Sequence, residues 1–351
     1  SFPAPTPGVN EEVHGMKKRF LTTIAFAGVA AFALAGCTTE TGTTTEESST
    51  ADGGSTDTAS DVITVGFAQT GAESGWRSAN TESMKAAFSE DNGFELIFNA
   101  ADNDPAAQIS AVRNFINQGV DAIVIAPVVE DGWDDVLQEA KDAGIPVILE
   151  DRTVSASEDL YDTWVGLDFH AEGVQAGEWA ATEFGDAETN MVVLEGTTGS
   201  APANERAAGF DEAIAGTGIT TIDSQTGDFT RDGGKSVMEG YIANYGLDGI
   251  DLVYAHNDDM GLGAIEAIES AGGVPGEDIK IVTIDAVKDG MQALVDGKIN
   301  FIVECNPLLG EKAAELVKSV LAGETVDKAY YVEDQSFTQE QAAEVIDSRA
   351  Y

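Results

Sequence analysis

At the carboxyl ends of a series of short β-branched runs, this sequence carries acids, amides, arginines and aromatic rings. After the run that begins at Ile63 come Glu73, Ser74, Trp76 and Arg77; after another come Asp151 and Arg152. Further on stand Arg206, Asp228 with Phe229, Asn257 with Asp258 and Asp259, then Asp285 and Glu304. Ligands of open parallel sheets sit beyond the carboxyl ends of the strands, where loops and helix N-termini converge. Sugar hydroxyls both donate and accept, so they suit carboxylates and amides as acceptors, arginine as a planar multiple donor, and rings against their C–H faces. The chemistry implied is binding of a neutral polyol.

Other roles are open to these residues. Trp76 could cap a helix as core, although its place just after a glycine-containing loop at a strand end favours a pocket. Asp151 and Arg152 are adjacent and cannot easily face each other, so both are expected to point at something else. Arg206 could dock a carboxylate between helices, and Asp258 is expected to cap the helix that starts there. An enzyme would need an activated group. His256 is the histidine nearest these positions, with no His/Glu cluster or cysteine beside it, so a sugar-acting enzyme built on His256 is a remote alternative. No catalytic residue, metal or cofactor is expected. The loop Gly196-Thr197-Thr198-Gly199-Ser200 lacks both the Walker lysine and dinucleotide-fingerprint spacing.

The elements that must position these groups alternate between runs such as ITVGFAQT, FELIFNA, DAIVIAPV and IPVILED and amphipathic stretches. Ile109, Val112, Phe115 and Ile116 share one helical face, as do Trp133, Val136, Leu137 and Ala140. A second series follows Asp168, with NMVVLEG, TTIDSQTG, GIDLVYAHN, DIKIVTID and NFIVECN. The pattern predicts an α/β protein of parallel sheets with helices on both faces. About ten strands are generous for one sheet, so two lobes with a cleft are expected.

Across 351 residues, 18 Lys and Arg oppose 62 Asp and Glu, a formal net charge of -44, while 43% of residues are hydrophobic. Such a field repels phosphate backbones and anionic lipid, which argues against nucleic-acid binding. Met16-Lys17-Lys18-Arg19 precedes the apolar run Phe20 to Gly36, which reads as a secretory signal. Its end, Leu34-Ala35-Gly36-Cys37, resembles the lipobox of bacterial lipoproteins, so residues 1–36 are expected to be leader and signal, and Cys37 to carry the lipid. Residues 37–60 then form an acidic Ser/Thr tether, too polar to bury itself. The expected location is the outer face of the cytoplasmic membrane, held by the lipid anchor alone. The second cysteine, Cys305, would have no disulfide partner.

From about residue 61 to 351 the chain resembles the type I periplasmic sugar-binding proteins of ABC importers, and within them the galactofuranose-binding branch. The resemblance rests on AQTGAESGWRSAN (Ala68 to Asn80), QGVDAIVIAPVVEDGW (Gln118 to Trp133), EDR (Glu150 to Arg152), GDFTR (Gly227 to Arg231), VYAHNDDMGLGAI (Val253 to Ile265) and VTID (Val282 to Asp285). It implies two Rossmann-like lobes joined by a three-segment hinge, closing on one sugar without chemistry. Trp76 and Phe229 match aromatics that pack on the sugar; Asp151, Arg152, Arg206, Asn257 and Asp285 match its hydroxyl-binding set. Glu304 falls where a strand-end polar residue contacts ligand, while Glu73, Ser74 and Arg77 lie in the variable first loop. The pair Cys305-Asn306 and the acid Glu150 depart from the family pattern at the pocket edge. The resemblance places one lobe at 61–167 plus 306–331 and the other at 168–305 plus 332–351. Its implied partners are a monosaccharide and the importer's permease and ATPase, with the protein itself a monomer. Presentation of bound sugar to a chemoreceptor or sensor kinase is the alternative. A DNA-binding repressor on the same core would need a basic helix-turn-helix where this chain has a lipobox and acidic tether.

Overall fold

The computed structural model describes residues 62–351. The signal segment, the lipid-bearing Cys37 and the tether expected from the sequence lie outside these described residues. The strands are β1 Ile63–Gln69, β2 Phe94–Ala100, β3 Ala122–Ile125, β4 Val147–Asp151, β5 Thr163–Gly166, β6 Thr189–Glu195, β7 Ile219–Thr226, β8 Leu252–Ala255, β9 Lys280–Asp285, β10 Phe301–Glu304, β11 Ala329–Tyr331 and β12 Ser336–Phe337. The helices are α1 Gly75–Ala87, α2 Pro105–Gln118, α3 Asp134–Asp142, α4 Phe169–Phe184, α5 Ala201–Ala213, α6 Arg231–Tyr245, α7 Asp258–Ser270, α8 Lys288–Val295, α9 Gly310–Leu321 and α10 Gln339–Val345. Two sheets result, with orders β11-β5-β4-β3-β1-β2 and β12-β10-β9-β8-β6-β7. All pairs are parallel except the short antiparallel β10–β12 pair. The chain passes between the sheets three times: after β5, after β10, and between β11 and β12.

The central strands β3, β4, β8 and β10 are buried throughout, as sheets covered by helices on both faces require. Each sheet therefore has a core on either side. Val65, Phe67, Val124 and Ile148 pack under α9, while Ile123, Ile125 and Leu149 pack under Phe115 of α2 and Val136 of α3. In the second lobe α4 and α5 cross very closely. A methyl group on Gly173 would fall 2.3 Å from the Arg206 carbonyl oxygen. That approach fixes where Arg206 leaves its helix. Among the described residues, no helix is long and apolar enough to cross a membrane.

Candidate functional site

The carboxyl ends of both sheets face a cavity of about 290 Å³ lined by Glu73, Ser74, Trp76, Arg77, Asp151, Arg152, Phe169, Pro202, Arg206, Phe229, Asn257, Asp285 and Cys305.

The first lobe supplies an ion-paired wall. Ser74 caps α1 by accepting from the Arg77 N–H at 3.1 Å, which aims the first turn of the helix at the cavity. Arg77 then donates to Asp151 Oδ2 at 2.6 Å and to Glu73 Oε1 at 3.0 Å. Asp151 ends β4 with φ +60, its carbonyl accepting from the Trp164 indole at 3.2 Å. This left-handed bend swings Arg152 back until its Nε lies 3.7 Å from Asp151 Oδ2. Adjacent side chains are kept apart only on a regular strand, so the expectation that Asp151 and Arg152 could not face each other fails at this bend. Arg152 also donates to the Val128 carbonyl at 3.1 Å. Burial, reinforced by the neighbouring Arg77 charge, brings Arg152 down to about 10. Burial opposes ionisation of Glu73, but Arg77 and Arg152 outweigh it and hold Glu73 below its ordinary value. Behind this layer Glu150 is wholly buried, accepting from Asn80 at 3.2 Å. Burial and then the Asp151 charge push it up to about 8.

The second lobe is built differently. Arg206 donates to Glu172 Oε2 at 2.7 Å and to the His256 carbonyl at 2.6 Å, while Asp285 Oδ1 is 3.8 Å away. Arg206 thus lines the cavity and also docks the inter-helix carboxylate. Asp285 ends β9 with φ +127, and burial raises its carboxyl well above the ordinary value in spite of Arg206. Asn257 caps α7, accepting from the Met260 N–H at 3.0 Å, and donates to the Phe229 carbonyl at 3.0 Å. That holds Phe229 at φ +60, with its ring over Gly196, where a methyl group would fall 1.9 Å from the ring. Five non-glycine residues with positive φ, Asp151, Asp228, Phe229, Asp285 and Ala286, lie at or beside the cavity. Such conformations persist where surrounding contacts over-determine them, and they gather at binding sites.

The lobes touch across the cavity mouth. Gly75 N donates to Asp259 Oδ2 at 2.8 Å, Glu130 N to the Gly199 carbonyl at 2.9 Å, and Asn204 Nδ2 to Glu130 Oε2 at 2.5 Å. At the hinge side Trp76 Nε1 donates to the Cys305 carbonyl at 2.6 Å. Glu73, Asp151 and Asp285 oppose Arg77, Arg152 and Arg206, so the formal charges of the lining cancel. Among the described residues, three buried atoms of these side chains have no hydrogen-bond partner: Glu73 Oε2, Arg152 Nε and Asp285 Oδ2. Buried polar groups are ordinarily bonded, and an exception of this kind marks a place where something else binds.

The structure departs from expectation at Glu304, His256 and Asp258. Glu304 does not line the cavity: it accepts from Arg349 Nη1 at 2.6 Å, Tyr351 OH at 2.7 Å and Gln335 N at 3.2 Å, on the far side of β10. In register it pairs with Asp285, but the positive φ at Asp285 takes that carboxylate out of the pleat the two would otherwise share. His256 is wholly buried and takes a hydrogen bond from Gly196 N at 3.3 Å on Nδ1. Burial and Arg206 lower it to about 3, so it stands neutral behind the cavity wall. Asp258, expected as a helix cap, accepts instead from Thr283 Oγ1 at 2.5 Å and Val287 N at 2.8 Å; the cap is Asn257. Sequence reasoning missed Phe169 and Pro202, and placed Cys305 at the pocket edge without assigning it a ligand-facing role. Phe169 and Pro202 open α4 and α5, and helix-opening positions after the crossing and after the Gly196 loop were the signal available.

A family model for the periplasmic binding protein domain matches residues 65–325. The galactofuranose-binding protein YtfQ of Escherichia coli is 46% identical over 259 residues, covering 73% of this chain and 81% of its own. A crystal structure from Mycobacterium smegmatis in complex with beta-D-fucofuranose is 54% identical with a TM-score of 0.80, covering 82% of this chain and 95% of that one. The binding component of the arabinose ABC transporter from Shewanella sp. ANA-3, bound to alpha- and beta-L-arabinofuranose, is 43% identical with a TM-score of 0.79, covering 82% and 96%. With its two lobes, three crossings and interlobe cavity, this chain belongs to the periplasmic binding protein family, in the type I fold of the sugar-binding proteins of ABC importers.

Proposed function

We propose that this protein captures one neutral monosaccharide, galactofuranose or a related galactose or arabinose form, in the interlobe cavity and delivers it to an ABC importer. The observation that carries this reading is the set of three partnerless buried atoms, Glu73 Oε2, Arg152 Nε and Asp285 Oδ2, contributed by both lobes to one cavity whose charges cancel. Two acceptors and a donor, with the rings of Trp76 and Phe229, suit hydroxyls and C–H faces, whereas an ionic ligand would leave an unbalanced charge. Similarity to binders of fucofuranose and arabinofuranose supports a five-membered ring. The relatives are binding components, and with His256 walled off the reading involves no catalysis. Capture proceeds by rotation of lobes 61–167 plus 306–331 and 168–305 plus 332–351 about the three crossings, since contacts from both lobes are satisfied together when the cleft is shut. The mature chain acts as a monomer, tethered outside the cytoplasmic membrane through lipid on Cys37.

Calorimetric titration of residues 61–351 with D-galactose, L-arabinose, D-fucose, D-glucose and a set of amino acids tests the reading. Binding of galactose, arabinose or fucose in preference to glucose is expected. Binding of an amino acid with no response to any sugar would overturn it. The anchor is tested separately: in a lipoprotein-processing bacterium, the full chain should take up labelled palmitate and Cys37→Ala should not.

A further inference from the structure

The turn that presents Asp285 is held by a side chain from far along the chain. Asp285 and Ala286 have φ +127 and +62, two consecutive non-glycine residues in the left-handed region, a conformation that needs outside contacts to persist. Ala286 is wholly buried, and its carbonyl accepts from Arg349 Nη2 at 2.7 Å. Arg349 is itself anchored: its Nη1 donates to Glu304 Oε1 at 2.6 Å, and its guanidinium lies 4.4 Å from the Tyr351 ring, whose hydroxyl donates to the same Glu304 oxygen at 2.7 Å. Glu304 in turn binds the third crossing through Gln335 N. The first lobe solves the same problem in its own way. Asp151, at the matching strand of its sheet, has φ +60 and a carbonyl held by the Trp164 indole at 3.2 Å.

We infer that Arg349, held by Glu304 and Tyr351, is a positioning residue for ligand binding that fixes the Asp285–Ala286 turn and so the place of the Asp285 carboxylate. The inference rests on the sugar-binding reading above. It also accounts for Glu304, which reaches the site through Arg349 without touching ligand. Removing Arg349 frees the Ala286 carbonyl from its only side-chain donor on the far side of the sheet, and the strained turn relaxes toward ordinary strand geometry. Asp285 then loses its aim while the cavity's other walls stand.

The test is calorimetry with L-arabinose and D-galactose on the wild type, Arg349→Ala, Arg349→Lys and Gln339→Ala, with melting curves for each. Gln339 ties the neighbouring α10 to the Val295 carbonyl at 2.9 Å and touches neither Arg349 nor Asp285, so it reports loosening of this region alone. Arg349→Ala is expected to lose tenfold or more in affinity, Arg349→Lys to recover to within about threefold by restoring a donor, and Gln339→Ala to bind as wild type. Equal loss in Gln339→Ala, or none in Arg349→Ala, would overturn the inference. If Arg349→Ala does not fold, Glu304→Gln and Tyr351→Phe loosen Arg349 without removing it and should each lose at least threefold; wild-type affinity in both would overturn it. Silence of the wild type toward both sugars sinks the sugar reading and this inference with it, whereas wild-type binding with unaffected variants sinks the inference alone.

Discussion

The two lobes repeat one strand order, yet they arm the cavity in opposite ways. In the first, Arg77 binds Asp151 at 2.6 Å and Glu73 at 3.0 Å, and Arg152 lies within 3.8 Å of both acids. Its charges pair with one another before any ligand arrives, with only Glu73 Oε2 and Arg152 Nε left for a ligand. In the second, Arg206 is committed to Glu172 and the His256 carbonyl, leaving Asp285 at 3.8 Å with a bare Oδ2. A pre-paired wall keeps its shape in the open state. In the capture proposed above, Asp285, whose nearest arginine in its own lobe is 3.8 Å away, gains most when the cleft shuts, so the energetics of capture should fall unevenly on the two lobes.

The largest effect should come from the paired wall. Arg77→Ala leaves Asp151 and Glu73 buried without their main counter-charge, which costs about 3–5 kcal/mol when one partner of a buried pair is removed. Arg206→Ala should cost less, because burial already raises Glu172 and neutralisation of that acid is near at hand. Urea unfolding of ligand-free protein at pH 7 measures both. Equal losses, or a larger one for Arg206→Ala, would remove the asymmetry.

Next in size is Asp285. Asp285→Ala should keep the fold and weaken sugar binding by about 2–4 kcal/mol, since the hydroxyl it would meet is left without a partner in a closed cavity. Calorimetry beside a melting curve decides: affinity within a factor of two of wild type would show that the second lobe contributes no such acceptor.

Much of this arrangement is legible in the sequence, for physical reasons that also mark where legibility stops. Runs of seven to nine residues rich in β-branched and apolar side chains announce themselves, and every such run named from the sequence contains a strand. Ala329–Tyr331 and Ser336–Phe337 do not, because two or three residues cannot display a period of two; Thr163–Gly166 also escapes notice. The strand-end rule brings Trp76, Arg77, Asp151, Arg152, Phe229, Asn257 and Asp285 to notice, and they do converge on one cavity. It cannot tell Glu304 from Cys305, since which of two successive residues faces a cleft depends on a dihedral at Asp285 that no local pattern encodes. The bend at Asp151 escapes for the same cause. Glycine would have advertised a positive φ; aspartate hides it.

A third effect follows from acids buried behind both walls. Glu150 is raised to about 8, Asp258 to about 7 and Asp334 to about 8, with burial the first cause in each. Unfolded, these groups titrate near the ordinary carboxylate range, so between about pH 5 and 8 these three acids bind fewer protons in the unfolded chain than in the folded one, and His256, lowered to about 3, opposes them only up to its ordinary value of 6.5. Stability is then fully present below that window and falls as pH rises through it. Glu73 has the opposite sign, but its contribution is lost only as pH falls through the acid range below its ordinary value. Urea midpoints from pH 5 to 8 in 0.5 M salt, which screens the surface charge, should decline, and Glu150→Gln should flatten the slope. A midpoint that rises across this window would contradict the burial of these acids in the folded state.

The smallest effect tests whether the lobes cooperate at all outside the cavity. Gly75 N, at the start of α1, donates to Asp259 Oδ2 in the first turn of α7, so one lobe's helix N-terminus is held by the other lobe's carboxylate. In the capture proposed above, that bond exists while the cleft is shut and is exchanged for water when it opens. Asp259 lies outside the cavity lining, so its removal leaves every sugar contact in place and subtracts only from the closed state. The net worth of such a bond is about 0.5–1.5 kcal/mol, partly offset because Asp259 also lies 3.7 Å from Arg231 in its own lobe. Asp259→Ala should therefore weaken binding by roughly three- to tenfold, which is that energy range expressed as affinity, mainly through faster release, while scattering of the ligand-free form stays as in wild type. If affinity holds and release is unchanged, closure is driven by the cavity alone, and the contrast between the lobes is confined to the residues that meet the sugar.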